Sequence, residues 1–315
     1  MTLPSPVVYA AADAMLSSKG RSFHWARRLL TPVHAERATR LYGFCRRVDD
    51  LADETQSPER SRDCLLAIEH SLLAGVSSDP MVADTIVLFQ ECAIDPAIPV
   101  ALIRGVMSDL EDVRIATEAD LLRYCYRVAG TVGLMMSAAL DVRDPRAMHH
   151  AIDLGIAMQL TNLCRDVQQD ALRGRRYLPA SLLGSFDPSR LIRPSSEDLP
   201  IVAQTIETLL DLADSYYRSG EAGLAFLPAN ARSAILVAVR VYQTIGQTLR
   251  ARSFDYWTAR AVVPMGQKAV ITARALMSWH IRHLVGRPIE IHEGRLHRAL
   301  AGMTGANQQG VHHAS

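Results

Sequence analysis

The stretch Tyr42-Gly43-Phe44-Cys45-Arg46-Arg47-Val48-Asp49-Asp50-Leu51-Ala52-Asp53-Glu54 decides the reading of this 315-residue chain. An α-helix turns about 100° per residue. Measured from Tyr42, Arg46 therefore sits at about +40°, Asp49 at about −20° and Asp53 at about +20°. These four side chains share one narrow stripe, while Leu41, Phe44, Val48 and Leu51 point away from it and are free to pack. A second stretch repeats the pattern: Gln159-Leu160-Thr161-Asn162-Leu163-Cys164-Arg165-Asp166-Val167-Gln168-Gln169-Asp170. From Gln159, Asn162 falls at about −60°, Asp166 at about −20° and Asp170 at about +20°.

A solvated helix face is the plain explanation of one such stripe. Two features weigh against it. Both stripes lie at the C-terminal ends of their helical segments, closed by Thr55-Gln56-Ser57-Pro58 and by Gly174. Negative charge there opposes the helix dipole, at about 0.3–1 kcal/mol per group. Carboxylates one turn apart also repel, by about 4 kcal/mol at a separation of about 4 Å and an effective dielectric of about 20. Two such stripes in one chain suggest a cation between them. All-oxygen ligands suit a hard ion such as Mg²⁺, which commonly also holds substrate phosphates.

The remaining sequence supports a helical frame. Hydrophobic residues make up 49% and charged residues 21%, which excludes a disordered chain. The formal charge of +1 argues against a nucleic-acid partner. Helix-sized segments follow the breakers. One runs from Pro32 to Glu54 and the next from Ser57-Pro58 to near Gly75. Residues 81–92 and 96–113 read as two more. Thr117, with Asp120 three residues later, starts a helix that reaches Ala139. Pro145 opens one through to about Leu172. After a Pro/Ser-rich connection over 186–200, helical patterns cover 201–218, 230–251 and 267–284. The polar end, from about 303 to 315, reads as frayed. No composition shift marks a boundary. The expectation is one all-α domain over 1–315, a helical bundle larger than four helices around a central cavity.

The five cysteines, Cys45, Cys64, Cys92, Cys125 and Cys164, form no C-x-x-C pair, so neither a disulfide scaffold nor a thiolate zinc site is expected, and a reducing cytoplasm fits. Cys45 and Cys164 read as small packing residues. His24 and His34 are isolated from any partner at ligand spacing. No signal peptide is read at the start, and no run of about 18 apolar residues occurs. Mean hydropathy is nevertheless +0.05.

Together these residues resemble the squalene/phytoene synthase family of head-to-head prenyl synthases, most closely its bacterial phytoene and dehydrosqualene synthases. Tyr-x-x-Cys-Arg-x-x-Asp-Asp-x-x-Asp at 42–53 and Gln-x-x-Asn-x-x-Arg-Asp-x-x-x-Asp at 159–170 match its two acidic motifs. Lys19-Gly20-Arg21-Ser22-Phe23 resembles its N-terminal segment. Tyr124-Cys125-Tyr126-Arg127-Val128-Ala129-Gly130-Thr131-Val132-Gly133 is similar to its Tyr-x-Tyr helix, and Arg173-Gly174-Arg175-Arg176-Tyr177-Leu178-Pro179 to the segment after the second acidic motif. Five motifs in order span residues 18–180.

The resemblance implies a class I isoprenoid synthase helical bundle. It implies that Asp49 and Asp53 bind Mg²⁺ (or Mn²⁺) from one side, and Asn162, Asp166 and Asp170 from the other. Lys19, Gly20, Arg21, Ser22, Tyr42, Arg46, Gln159 and Arg165 match diphosphate-contacting positions, where cations and hydroxyls suit phosphate oxygens. Tyr124 either reaches the metal-bound diphosphate or is a buried tyrosine with a satisfied hydroxyl. Asp50 and Glu54 fall off the stripe, as outer groups or facing solvent. Gly130 and Gly133 either admit a prenyl tail or pack helices closely. In many members a late Tyr, several residues before an Arg, faces the diphosphate. Here Phe254 occupies that slot before Arg260, or Tyr256 does so in another register.

The implied reaction joins two allylic prenyl diphosphates, farnesyl or geranylgeranyl. One ionises, the other attacks, and a cyclopropylcarbinyl diphosphate results. Its ionisation, rearrangement and loss of a proton give phytoene or the C30 analogue, with no NADPH. Presqualene diphosphate or squalene is the alternative product, disfavoured because neither a dinucleotide glycine fingerprint nor an anchor is read. A non-catalytic assembly factor of the same fold would have lost aspartates that this chain keeps. A class I terpene cyclase has different motifs and uses one diphosphate. The expected setting is the cytoplasm, with peripheral contact at the inner membrane face.

Overall fold

The computed structural model describes residues 6–53, 57–284 and 292–306, apart from the side chains of Arg21 and of residues 278–284. Helices form α1 (Pro6–Lys19), α2 (Arg21–Arg27), α3 (Pro32–Asp53), α4 (Pro58–Ala74), α5 (Pro80–Glu91) and α6 (Ala97–Met107). They continue as α7 (Glu118–Cys125), α8 (Thr131–Ala139), α9 (Arg146–Arg165), α10 (Val167–Leu172), α11 (Ala180–Leu183) and α12 (Pro188–Ile192). The last are α13 (Asp198–Ala222), α14 (Ala229–Ala251) and α15 (Met265–Leu284). Among the described residues there is no strand, only an isolated parallel bridge between Arg114 and Arg176.

Local chemistry explains several boundaries. Ser57 accepts from the Arg60 amide and Pro58 fills the first turn of α4, which Gly75 closes at φ +72°. Thr117 and Asp120 form a reciprocal capping box at the start of α7. The helix expected to run on to Ala139 is interrupted, however. Tyr126–Gly130 makes a π-helical turn between α7 and α8. The expected helix through Leu172 is also broken, at Asp166 (φ −102°, ψ 15°). The expected 96–113 helix stops at Met107 and tightens into one 3₁₀ turn at Ser108–Leu110.

One core cluster surrounds α9 and α13, with Ile152, Ile156, Leu160, Ile206 and Leu209 all fully buried. A second joins α3 to α4, α5, α6 and α8 through Leu41, Phe44, Val48, Leu65 and Ile103. Leu41, Phe44 and Val48 thus pack as the stripe geometry requires. A third, smaller cluster joins α2 to α14. The space between these clusters is the central cavity.

Gly133 marks a close helix contact. A Cβ there would lie 2.2 Å from the Ala151 carbonyl oxygen, and one at Gly155 would lie 2.2 Å from that of Ala129. These glycines let α8 and the π turn approach the backbone of α9 directly, so Gly133 packs the helices closely while it also borders the apolar part of the cavity. At Gly130 the Cβ would meet the Tyr126 ring at 2.8 Å, again a packing constraint.

Residues 303–306, expected to fray, are held against the core. Ala306 is buried, Met303 packs on the main core, and the Tyr126 hydroxyl donates to the Thr304 carbonyl. Small and apolar residues among the polar ones supply that contact. Residues 307–315 lie outside the described residues.

Candidate active site

The two acidic stretches line one cavity of about 540 Å³, as the stripes require: Asp49 and Asp53 come from the end of α3, and Asn162, Asp166 and Asp170 from α9 and α10. Lys19, Gly20, Ser22, Tyr42, Arg46, Tyr124, Gln159 and Arg165 line the same space. The Arg21 side chain and Glu54 lie outside the described residues. Gly20 is there for fit, since a Cβ would sit 2.7 Å from Tyr42 Cζ. Asp50 stands off the lining, as its angle implies. It is partly buried rather than solvent-facing, taking Lys19 Nζ at 2.9 Å and pairing with Arg46.

Crowding of carboxylates dominates the electrostatics. Burial, with Asp53 and Asp109 nearby, pushes Asp49 up to about 7 although Arg46 opposes it. Burial and the neighbouring Asp166 push Asp170 up to about 8. Asp166 is also buried, but hydrogen bonds from Arg165 and Arg260 outweigh that and hold it below the usual carboxylate range. Asn162 Oδ1 is buried and accepts no hydrogen bond. An acceptor without a donor, among carboxylates held against their own repulsion, is an oxygen donor set that fits a hard divalent cation.

The sequence left several cavity residues unassigned. Asp109 accepts from Tyr177 at 2.7 Å and from Tyr124 at 3.0 Å. Burial pushes Asp109 up to about 6, although both phenols and Arg175 pull it down. The Tyr124 hydroxyl is therefore fixed by a carboxylate. Arg175 donates to Asp53 at 2.7 Å and to the Asp109 and Ala52 carbonyls at 3.1 Å. The loop that carries it is pinned by Ile115 N–H to the Arg176 carbonyl, 3.1 Å, and Arg176 N–H to the Val113 carbonyl, 3.0 Å. Arg260 donates to both oxygens of Asp166. Tyr242 and Lys268 complete the wall. Arg175 lies within a quoted motif, but neither Asp109 nor Tyr242 carries any local signal.

Neither reading of the late tyrosine survives. Tyr256 is buried and donates to the Leu191 carbonyl at 3.0 Å, and Phe254 packs on the core. Phe254 has φ +62° and Ser253 φ +51°, and this left-handed turn after α14 faces both rings inward. Tyr242 is the aromatic hydroxyl from this part of the chain that lines the cavity. Cys164 is buried, as expected of a packing residue, whereas Cys45 also lines the cavity. His34 has a core role, buried with its Nε2 3.1 Å from Asp141.

The polar cavity continues into an apolar arm of about 260 Å³. Tyr42, Asp49, Gln159 and Asn162 border both. Val132, Met136, Leu140, Met158 and Leu227 line the arm. Cationic and hydroxyl side chains at one end and an apolar channel at the other match an amphiphile with an anionic head and a long hydrocarbon tail.

Comparison with known proteins agrees. The squalene/phytoene synthase family model matches residues 16–267. The chain is 33% identical over 285 residues to a phytoene synthase of Pseudescherichia vulneris, covering 87% of this chain and 92% of that protein. It is 32% identical over 290 residues to a 15-cis-phytoene synthase of Pantoea ananas, with the same shares. Among solved structures, a dehydrosqualene synthase in complex with ligand superposes with a TM-score of 0.78 at 26% identity, covering 87% of this chain and 97% of that one. With that fold and those motifs in place, the chain belongs to the squalene/phytoene synthase family of head-to-head prenyltransferases.

Proposed function

We propose that this chain, as a single domain, condenses two molecules of geranylgeranyl diphosphate to phytoene without a reductant. The observation that carries it is the junction of two aspartate stripes over one polar cavity with an apolar arm. The phytoene synthases among its relatives favour the C20 substrate over the C15 one.

In this reading Asp49 and Asp53 hold Mg²⁺, with Mn²⁺ able to substitute, from the α3 side. Asn162, Asp166 and Asp170 hold it from the α9 and α10 side. When bound, the metal supplies Lewis-acid activation of the diphosphate leaving group. The protein's own groups do the rest. Lys19, Arg21, Ser22, Tyr42, Arg46, Gln159 and Arg165 bind and orient diphosphate oxygens. Arg46 and Lys19 exchange Asp50 for substrate phosphate, so Asp50 keeps both cations placed. Asp109 fixes the Tyr124 hydroxyl at the cavity wall. The apolar arm excludes water from the allylic cations, which water would otherwise capture as alcohols.

The chain meets its amphiphilic substrate at a membrane surface, on the cytoplasmic side. Val262, at the cavity rim, is 60% exposed, and Met265, Val270 and Met277 on α15 are 45%, 50% and 59% exposed. No described helix is long and apolar enough to cross a membrane. Contact through these side chains is apolar, so binding to liposomes in flotation should persist in high salt.

The decisive assay supplies purified protein with Mg²⁺ and either farnesyl or geranylgeranyl diphosphate, with and without NADPH, and identifies extracted lipids by mass. Phytoene from the C20 substrate, independent of NADPH, is expected. A product made only with NADPH, or from farnesyl diphosphate alone, refutes the assignment.

A further inference from the structure

Asp153 lies on α9, nine residues before Asn162 and so about 180° around the helix from it. It is fully buried on the face turned away from the aspartate cavity. His297 Nε2 reaches its Oδ1 at 2.8 Å and His292 Nε2 reaches its Oδ2 at 2.9 Å. The two imidazole rings are 4.4 Å apart. His149, one turn before Asp153, places its ring 5.0 Å from that of His292 and 5.3 Å from that of His297. Its Nδ1 is buried and has no hydrogen-bond partner.

We propose that Asp153, His292 and His297, with His149 as fourth ligand, form a binding site for a divalent transition-metal ion of the Zn²⁺ class, separate from the catalytic aspartates. The ligand atoms of Asp153, His292 and His297 all lie within 4.8 Å of one another, and His149, whose ring nitrogens fall outside that set, must turn its ring to complete the four. Zinc takes imidazole nitrogen at about 2.0–2.1 Å and carboxylate oxygen at about 2.0–2.2 Å, so a small outward movement of these atoms admits the ion. Three imidazoles and one carboxylate are a borderline donor set that Mg²⁺ does not prefer. The cysteine pattern excludes a thiolate zinc site, and this one uses none.

Groups around the carboxylate orient it as a ligand requires. Ser219 donates its hydroxyl to Asp153 Oδ2, and its carbonyl lies 2.7 Å from His150 Nδ1. Burial favours the protonated acid, but the hydrogen bonds from His292 and His297 outweigh it and hold Asp153 below the usual carboxylate range. Two ligands come from α9 and two from the segment 292–306. That segment is otherwise tied down by Tyr216 to the Leu296 carbonyl, 2.7 Å, and Arg123 to the Ala299 carbonyl, 2.8 Å. A bound ion clips this segment onto α9. It braces the helix that carries Gln159 and Asn162 from behind.

The test uses the full chain, free of any purification tag and stripped of metal, in excess Mg²⁺ so that the oxygen site is filled with the ion it prefers. Titration with Co²⁺ should give the intense visible band of four-coordinate cobalt with nitrogen ligands. Zn²⁺ should displace it at about one equivalent and raise the melting temperature. H292Q and H149Q, at less buried positions than His297, should each weaken Zn²⁺ binding by at least about tenfold with helical circular dichroism unchanged. A pale six-coordinate cobalt spectrum overturns the proposal. So does Zn²⁺ uptake equal in the wild type and both variants, which leaves Asp153 as the hub of a histidine ion-pair network.

Discussion

Arg260 grips both carboxylate oxygens of Asp166, at 2.8 and 2.9 Å, across a sequence separation of 94 residues. Arg165 takes hold of the same carboxylate from the adjacent position. Asp166 is thus kept ionised in a buried site whose neighbour Asp170 is pushed up to about 8. In the proposed function Arg260 positions the second acidic motif. R260A should lower kcat/KM by about 10- to 100-fold and weaken the response to Mg²⁺, the range found for groups that orient metal ligands. An R260A enzyme with an unchanged Mg²⁺ titration would show that the pair is structural only.

Removal of an aspartate from either stripe should be more severe. D49N and D166N are each expected to lose more than about 100-fold in turnover, beyond the range of an orienting group. Their helical circular dichroism should stay intact. D50N is the comparison: Asp50 faces Lys19 and Arg46 rather than the cavity, so its loss should be milder. Equal losses in D49N and D50N would remove the distinction between stripe and flank.

The raised carboxylates set a pH dependence for the protein in chelator. Asp49 and Asp170, at about 7 and about 8, bind protons more tightly folded than unfolded. Stability from them is fully present below the unfolded carboxylate range and is lost as pH rises through their folded values. Asp49 and Asp170 should lower the melting temperature in EDTA as pH rises from about 4 to about 8, with the slope vanishing above that, and D170N should lose less over the same span. A curve that is flat, or identical in D170N, contradicts this reading of the site.

The contact between α8 and α9 gives a stability prediction. G133A forces a methyl group to 2.2 Å from the Ala151 carbonyl oxygen, with backbone on both sides. Overpacking of this kind costs about 1–3 kcal/mol. Denaturant unfolding should show that loss. If G133A unfolds like the wild type, the helices have room to separate and close packing is not what requires Gly133.

Much of this was legible in local sequence. Pro58 with Ser57, Gly75, and Thr117 with Asp120 each act within one helical turn, so helix ends could be read from them. The stripe angles placed Asp49, Asp53 and Asp166 on one cavity because α3 and α9 are regular up to those residues. What failed depends on contacts distant in sequence. The break at Asp166 has no Gly or Pro to mark it, and the π turn at Tyr126–Gly130 sits where α8 and α9 share their glycines. Asp109 is recruited by Tyr124 and Tyr177, and Tyr256 is claimed by Leu191. The cluster around Asp153 joins residues 139 and 144 positions apart, and neither half alone has ligand spacing that stands out.

The most direct test counts diphosphate released per molecule of hydrocarbon formed by the purified protein. A cavity faced by both aspartate stripes, working on two prenyl diphosphates, should release two diphosphates per product in Mg²⁺ and none in excess chelator. Release of one diphosphate per product of unchanged carbon number, as from a terpene cyclase, would contradict head-to-head condensation, and undiminished release in chelator would contradict the metal-binding role of the stripes.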